Sequence, residues 1–279
     1  MMKHEVLEKN SGLLLLFTLV VISIGGLIEI VPLFYINDTI EEVKKEIVVQ
    51  VRDSNGKVVK DENNKNKTET FIVDAIRPYT PLELLGRDVY IKEGCYNCHS
   101  QMIRPMQDEH QRYGHYSLAA ESKFDHPFQW GSKRTGPDLA RVGVKNFPNS
   151  WHVRHLISPR SEVPQSIMPN YPWLAKNELD YKNVKDHLRA LRYTGVPYSK
   201  DDAEYQANII RFGKQVADVL VIDNAIENLE AQAKRGNYDG DSSKITEMDA
   251  IVAYLQMLGT LVDFSKFKEG HFSKFRSAE

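Results

Sequence analysis

Cys95-Tyr96-Asn97-Cys98-His99 is a C-x-x-C-H run, and its reading decides the fold. This spacing is the attachment signature of a c-type haem. Cys95 and Cys98 are placed to form thioethers with the porphyrin vinyl groups, and His99 to serve as the proximal iron ligand. The chain contains 2 cysteines, so none is left for a structural disulfide or a separate thiol site. Three other readings compete. A thioredoxin-like C-x-x-C has no use for His99 and lacks a surrounding βαβ pattern. A Cys2His2 zinc site could recruit His110 and His115, but Pro105 interrupts the segment that should form the finger helix. A disulfide across two intervening residues is strained.

The haem needs a pocket and a sixth ligand. Sulfur from methionine raises the reduction potential relative to bis-histidine ligation. Met102 and Met106 follow His99 too closely to reach the opposite haem face, and Met248 and Met257 fall on a helical packing stripe. Met168, in Ser166-Ile167-Met168-Pro169, lies in a downstream loop able to cover that face, with His126, His152 and His155 as rivals. In Thr135-Gly136-Pro137-Asp138-Leu139, the Pro137 carbonyl is a candidate acceptor for the second ring nitrogen of His99; a plain Gly-Pro turn is the alternative. Arg104, Arg112, Lys133, Arg134 and Arg141 flank these loops. Arg104 and Arg134 are the candidates for clamping the haem propionates. Trp130, Trp151 and Trp173 suit core or haem packing.

Upstream of the motif, Pro81 opens a helix carrying Leu82, Leu85, Val89 and Tyr90, which Gly94 ends. Residues 100–175, rich in Pro, Gly and aromatics, read as long loops that wrap a haem. Residues 177–194 and about 201–235 read as helices, the second capped by Asp201-Asp202 and stopped at Arg235-Gly236. A last helix runs from about Thr246 to Leu258. Asp239-Gly240-Asp241 fails the calcium-loop pattern, because Arg235 and Thr246 fall on ligand positions; it reads as a turn.

At the N-terminus, residues 13–36, LLLLFTLVVISIGGLIEIVPLFYI, are nearly free of charge. As a helix they extend roughly 36 Å, enough to cross a hydrocarbon core of about 30 Å with some tilt. No small-residue cleavage pattern follows, so the run reads as an uncleaved anchor. Lys3 and Lys9 before it favour a cytoplasmic N-terminus. Residues 37–279 then lie on the outer face, where bacteria attach haem c. Glu29, within the run, is either a buried contact with a neighbouring membrane subunit or an interfacial residue, and Gly25-Gly26 permits close helix packing. Between anchor and motif, Ile47, Val49 and Val51 alternate before Asn55-Gly56, a hairpin signal; Val58-Val59 and residues 69–75 are further strand candidates. The net charge of the 279 residues is -2, which gives no sign of nucleic-acid binding.

The fold class is therefore mainly α: one N-terminal transmembrane helix and a class I cytochrome c domain, with a small β-hairpin insert. The expected parts are an anchor (1–37), a β-rich periplasmic insert (38–78), the cytochrome domain (79–262, with a helical insert over about 201–244) and a basic tail (263–279).

Several blocks together closely resemble subunit II of the cbb3-type cytochrome c oxidases. They are HEVLEKNSGLL, SIGGLIEIVPLF, EGCYNCHSQMIRP, RYGHYS, PFQWGSKRTGPDLARVG, the SxMPxYPWL segment and EMDAIVAYLQMLGT. They cover most of residues 2–37, 79–200 and 245–260. The resemblance implies one covalent haem c at Cys95 and Cys98 with His99 and Met168 as axial ligands. It implies a subunit with no bond-making chemistry of its own in a proton-pumping oxidase of the bacterial inner membrane. Its electrons would come from the multi-haem c-type subunit III or a soluble cytochrome c, and pass to the b-haem and copper subunit I. It further suggests calcium near the interface with the catalytic subunit. Residues 38–78 and 201–244 are longer than the corresponding links of the family pattern. Two other functions share the haem features: a free-standing, membrane-tethered cytochrome c shuttle, and a gas sensor with an open sixth position, which requires that Met168 not bind.

Overall fold

A computed structural model of the full chain describes residues 4–35, 40–51, 53, 57–60, 65–130 and 133–265. The chain divides into two compact units, Met1–Glu41 and Glu42–Glu279.

The first unit holds helix α1 (His4–Lys9) and helix α2 (Ser11–Glu29), followed by a 3-10 turn over Val31–Phe34. Asn10 caps α2, its side chain accepting from the Leu13 amide at 3.1 Å. The apolar span runs Ser11–Leu33, 23 residues, with none of its residues buried in the chain itself. A helix that apolar and that bare is a candidate to cross a membrane.

In the second unit, strands β1 (Lys44–Gln50) and β2 (Thr68–Asp74) pair antiparallel, with Ile47 opposite Phe71. The expected hairpin around Asn55-Gly56 falls on residues outside those described. Val59 does return to Val51, its amide donating to the Val51 carbonyl at 2.8 Å, but the partner of β1 over its full length is the later segment. Val59 joins this pairing as well, since the Lys67 amide donates to its carbonyl at 2.8 Å.

The core lies where α3 (Pro81–Lys92) crosses α11 (Glu247–Met257). Both helices begin with a reciprocal capping box. Thr80 and Glu83 exchange bonds at 2.8 and 3.4 Å, and Thr246 and Asp249 at 3.0 and 3.2 Å. The helices touch backbone to backbone. A Cβ on Gly86 would sit 2.0 Å from the Ala250 carbonyl oxygen. Leu82, Met248, Ala250, Val252 and Tyr254 are sealed from solvent. The Tyr254 ring lies 5.8 Å from that of Tyr79 and 5.6 Å from that of Tyr90.

Residues 100–175 contain more helix than their sequence suggests: α4 (Gln107–Tyr113), α5 (Asn149–Ile157) and α6 (Pro159–Glu162). The expected helix over 177–194 starts later, as α7 (Val184–Tyr193). Its proposed first turn is extended instead, because Leu179 and Asn177 pair with the backbone around Ile245–Glu247. The single helix expected over 201–235 is three: α8 (Asp202–Phe212), α9 (Lys214–Val219) and α10 (Ala225–Gly236). Gly213, at φ 85°, makes the first break, and Ser199 pairing with Leu220 and Ile222 makes the second. The expected cap and stop both occur: Asp201 accepts from the Glu204 amide at 3.0 Å, and α10 ends at Gly236.

Candidate haem-binding site

The C-x-x-C-H segment leaves α3 and folds into a 3-10 turn over Cys95–Asn97, with the Cys98 and His99 amides both donating to the Cys95 carbonyl, at 3.1 and 3.0 Å. This turn gathers Cys95, Cys98 and His99 on the rim of a cavity of about 530 Å³. Its walls come from Tyr90 of α3, Ile251 and Leu255 of α11, residues 135–139, α5 and the Met168 loop. A volume of that order suits a cofactor-sized ligand.

The segment 135–139 is laced to the motif by two backbone bonds. The Gly136 amide donates to the Cys98 carbonyl and the Leu139 amide to the Ser100 carbonyl, each at 2.9 Å. As a result, Nδ1 of His99 lies 2.8 Å from the Pro137 carbonyl oxygen. That carbonyl can accept only from an N–H on Nδ1, so in the neutral tautomer that makes this bond Nε2 is the nitrogen available to a ligand. Gly136 fits flat against the same ring; a Cβ there would come within 2.3 Å of His99 Cε1.

Buried charge underlies this loop. Asp138, with a fully buried carboxylate, accepts from Ser100 Oγ, from the Met102 amide at 3.0 Å and from the Ala140 amide at 2.8 Å. Glu109 of α4 accepts from the Arg104 amide at 2.7 Å and pairs with Arg134 at 2.6 Å, and the Arg104 side chain joins them. The Arg134 hydrogen bonds hold the Glu109 carboxyl down at about 2, reinforced by the Arg104 amide. The two arginines expected at the propionates are thus gathered around Glu109, and neither lines the cavity. Arg141 forms a two-pronged pair with Glu121, at 2.6 and 3.0 Å.

Met168 lines the cavity with its neighbours Ser166, Ile167 and Pro169. Its loop is pinned at both ends. The Met168 amide donates to Ser166 Oγ at 3.2 Å, Arg160 Nε donates to the Ser166 carbonyl at 3.0 Å, and the Tyr171 amide donates to the Leu156 carbonyl at 2.8 Å.

Residues 149–157 form α5 where the sequence pattern suggests loop, and the helix gathers Trp151, His152 and His155 on one cavity wall. Trp151 stacks on Phe147 at 4.1 Å and on His155 at 4.6 Å. The readable signal is the His152/His155 spacing of three after Pro148, a helix-start residue. His126 does not line the cavity, and neither do Met102, Met106, Met248 or Met257.

The donor set fits a covalently held haem better than its rivals. Burial pushes the Cys95 thiol up to about 12, with Glu93 adding to the shift. A redox-active C-x-x-C nucleophile needs the opposite shift. Among the described residues no group of three or more His, Cys, Asp or Glu is arranged to hold a metal ion. The zinc reading and the calcium suggested by the resemblance therefore find no ligand set on this chain's described residues.

A family model described as cytochrome C oxidase, mono-heme subunit/FixO matches residues 4–59 and 58–262. Comparison with curated proteins gives no match.

Proposed function

Because the chain belongs to the FixO family, the mono-haem subunit II of cbb3-type cytochrome c oxidases, we propose that it is the electron-relay subunit of such an oxidase. In this reading Cys95 and Cys98 would hold one haem c through thioethers, and His99 and Met168 would supply the ligands to its iron. The surrounding domain is then a class I cytochrome c. The observation that carries the reading is the 2.8 Å contact from His99 Nδ1 to the Pro137 carbonyl, on the rim of a cavity that both cysteines and Met168 also line.

When bound, haem c supplies a one-electron iron couple. The chain's own residues orient and enclose it. Pro137 keeps the His99 proton on Nδ1, so that Nε2 stays free to ligate. Gly136 lets the loop lie against the ring. The Ser166 and Arg160 contacts hold the Met168 loop over the cavity. Tyr90, Ile251 and Leu255 keep the inner wall apolar, which limits water around the iron and supports a raised potential. The direct α3–α11 contact at Gly86 and Ala250 fixes the distance between the motif and the wall facing it.

Electrons enter from a multi-haem c-type subunit or a soluble cytochrome c and leave toward the b-haem and copper subunit, where oxygen is reduced and protons are pumped. The chain itself makes and breaks no bonds. Its apolar helix anchors it in the bacterial inner membrane, N-terminus in the cytoplasm and the cytochrome domain in the periplasm.

Purification of the full chain from membranes in mild detergent, followed by haem and subunit analysis, tests this. One haem c per chain, travelling with a b-haem oxidase, is the expected result. A solitary one-haem chain would instead favour the free-standing shuttle, and a chain without covalent haem would defeat both.

A further inference from the structure

The peptide unit between Pro137 and Asp138 is held at both ends. Its carbonyl oxygen lies 2.8 Å from Nδ1 of His99. Its N–H, the amide of Asp138, donates to Oη of Tyr113 at 3.2 Å. One planar group therefore carries the acceptor for the His99 ring and a donor aimed at a tyrosine hydroxyl. Hydrogen bonds joined through such a group polarise one another. An amide whose N–H is bonded carries more negative charge on its oxygen, and so accepts more strongly on the other side.

Tyr113 is itself firmly placed. It closes α4 four residues after Glu109, so the two side chains share one helix face. Arg134 ties that face to the C-x-x-C-H segment: it pairs with Glu109 at 2.6 Å, and donates to Ser100 Oγ at 2.6 Å and to the Met102 carbonyl at 3.0 Å. The same guanidinium lies over the Tyr113 ring, 5.4 Å from its centroid, and the Lys145 ammonium lies over it at 5.1 Å. Such cation–ring contacts favour one position of the ring. Asp138 is fixed as well, because its carboxylate accepts from Ser100 Oγ and from the Met102 and Ala140 amides. Tyr113 does not line the cavity. Its hydroxyl reaches the His99 ring through the 137–138 peptide.

We propose that Tyr113 is a positioning residue for the axial histidine, acting through the 137–138 peptide. The proposal rests on the haem reading above. The Tyr113 hydroxyl fixes the plane of that peptide and strengthens its carbonyl as an acceptor. A stronger acceptor draws the Nδ1 proton away from the His99 ring and makes Nε2 more basic. A more basic ligand favours the ferric state, so Tyr113 lowers the reduction potential of the site.

The test is Tyr113→Phe, which removes one oxygen and keeps the ring. It is made in the full chain, matured in a host that attaches haem c and purified in detergent. The reduction potential should rise. In proton NMR of the reduced, diamagnetic state, the Nδ1 proton of His99 should move upfield as its hydrogen bond weakens. A variant with full haem content whose potential and Nδ1 resonance both stay put would overturn the proposal, even with a lowered Tm, since the tyrosine would then serve stability alone. A fall in potential would overturn it too. If the variant fails to mature, the wild type decides: its reduced state must show the Asp138 amide proton in Overhauser contact with the ring protons beside the Tyr113 hydroxyl, and absence of that contact overturns the proposal. A wild-type chain that carries no covalent haem overturns the haem reading first, and this proposal with it.

Discussion

Gly136 rests against the ring of His99 so closely that a Cβ on the glycine would lie 2.3 Å from Cε1. The same loop places the Pro137 carbonyl 2.8 Å from Nδ1 on that ring. One residue supplies the room and the next supplies the acceptor. Gly136→Val should therefore tilt the imidazole and break its support. Loss of a ligand's supporting contact typically costs ~10–100-fold in metal affinity, and the covalent haem per chain should fall markedly. A pyridine haemochrome assay on the purified variant measures this; full haem content with an unchanged spectrum would refute it.

Met168→Leu removes the candidate sulfur ligand while keeping the side-chain volume close. The far-red band of the oxidised protein that reports Met–Fe(III) ligation should vanish, and the reduction potential should drop, because methionine ligation raises it. Carbon monoxide should bind the reduced variant at the vacated position. A variant that keeps the band places the sixth ligand elsewhere.

Glu109 should make the site acid-sensitive. Its folded-state acidity is held at about 2 against an ordinary 4.5 by the Arg134 hydrogen bonds first, with Arg104 adding to them. A carboxylate depressed in this way contributes stability that is fully present above its unfolded value and is lost as pH falls toward its folded one. The contribution should therefore fade between about pH 5 and pH 2. Glu109→Gln should abolish that segment of the stability–pH curve and lower stability by about 1–3 kcal/mol, through the unpaired arginines. Thermal melts of the two proteins across that range check it, and parallel curves would exclude Glu109 as the source.

Gly86→Ala tests the helix crossing. The added methyl carbon would stand 2.0 Å from the Ala250 carbonyl oxygen, inside the atoms it meets. Overpacking of this kind costs about 1–3 kcal/mol, equivalent to a fall in Tm of roughly 3–10 °C for a domain of this size. Circular dichroism melts in detergent measure it. An unchanged Tm would mean the helices can part without loss.

What the sequence made legible follows from how local each constraint is. The C-x-x-C-H turn and the helix starts at Pro81 and near Thr246 are set within a few residues, and so are readable as text. Helix α5 was not readable: its apolar stripe is short, and much of what its Trp151 and His155 touch is Phe147, each other and the cavity. The role of Arg134 was hidden for a similar reason. Its partner Glu109 lies 25 residues away, and only the fold decides which carboxylate an arginine will reach. At residues 177–183 a plausible helical pattern gave way to pairing with Ile245–Glu247, a tertiary preference that no window around Asn177 contains.

Residues 38–78 and 201–244, far apart in sequence, meet one another. Asp74, at the end of β2, pairs with Arg211 of α8 at 2.7 Å. At the end of the same helix, a Cβ on Gly213 would lie 2.8 Å from Ile47 Cδ1 of β1. Neither segment is an independent ornament. Trimming the 38–78 segment strips α8 of a charge partner and an apolar neighbour, and trimming 201–244 does the same to the sheet. Each segment finishes a surface that the other leaves open, so a chain carrying only one of them should inherit an unfinished seam.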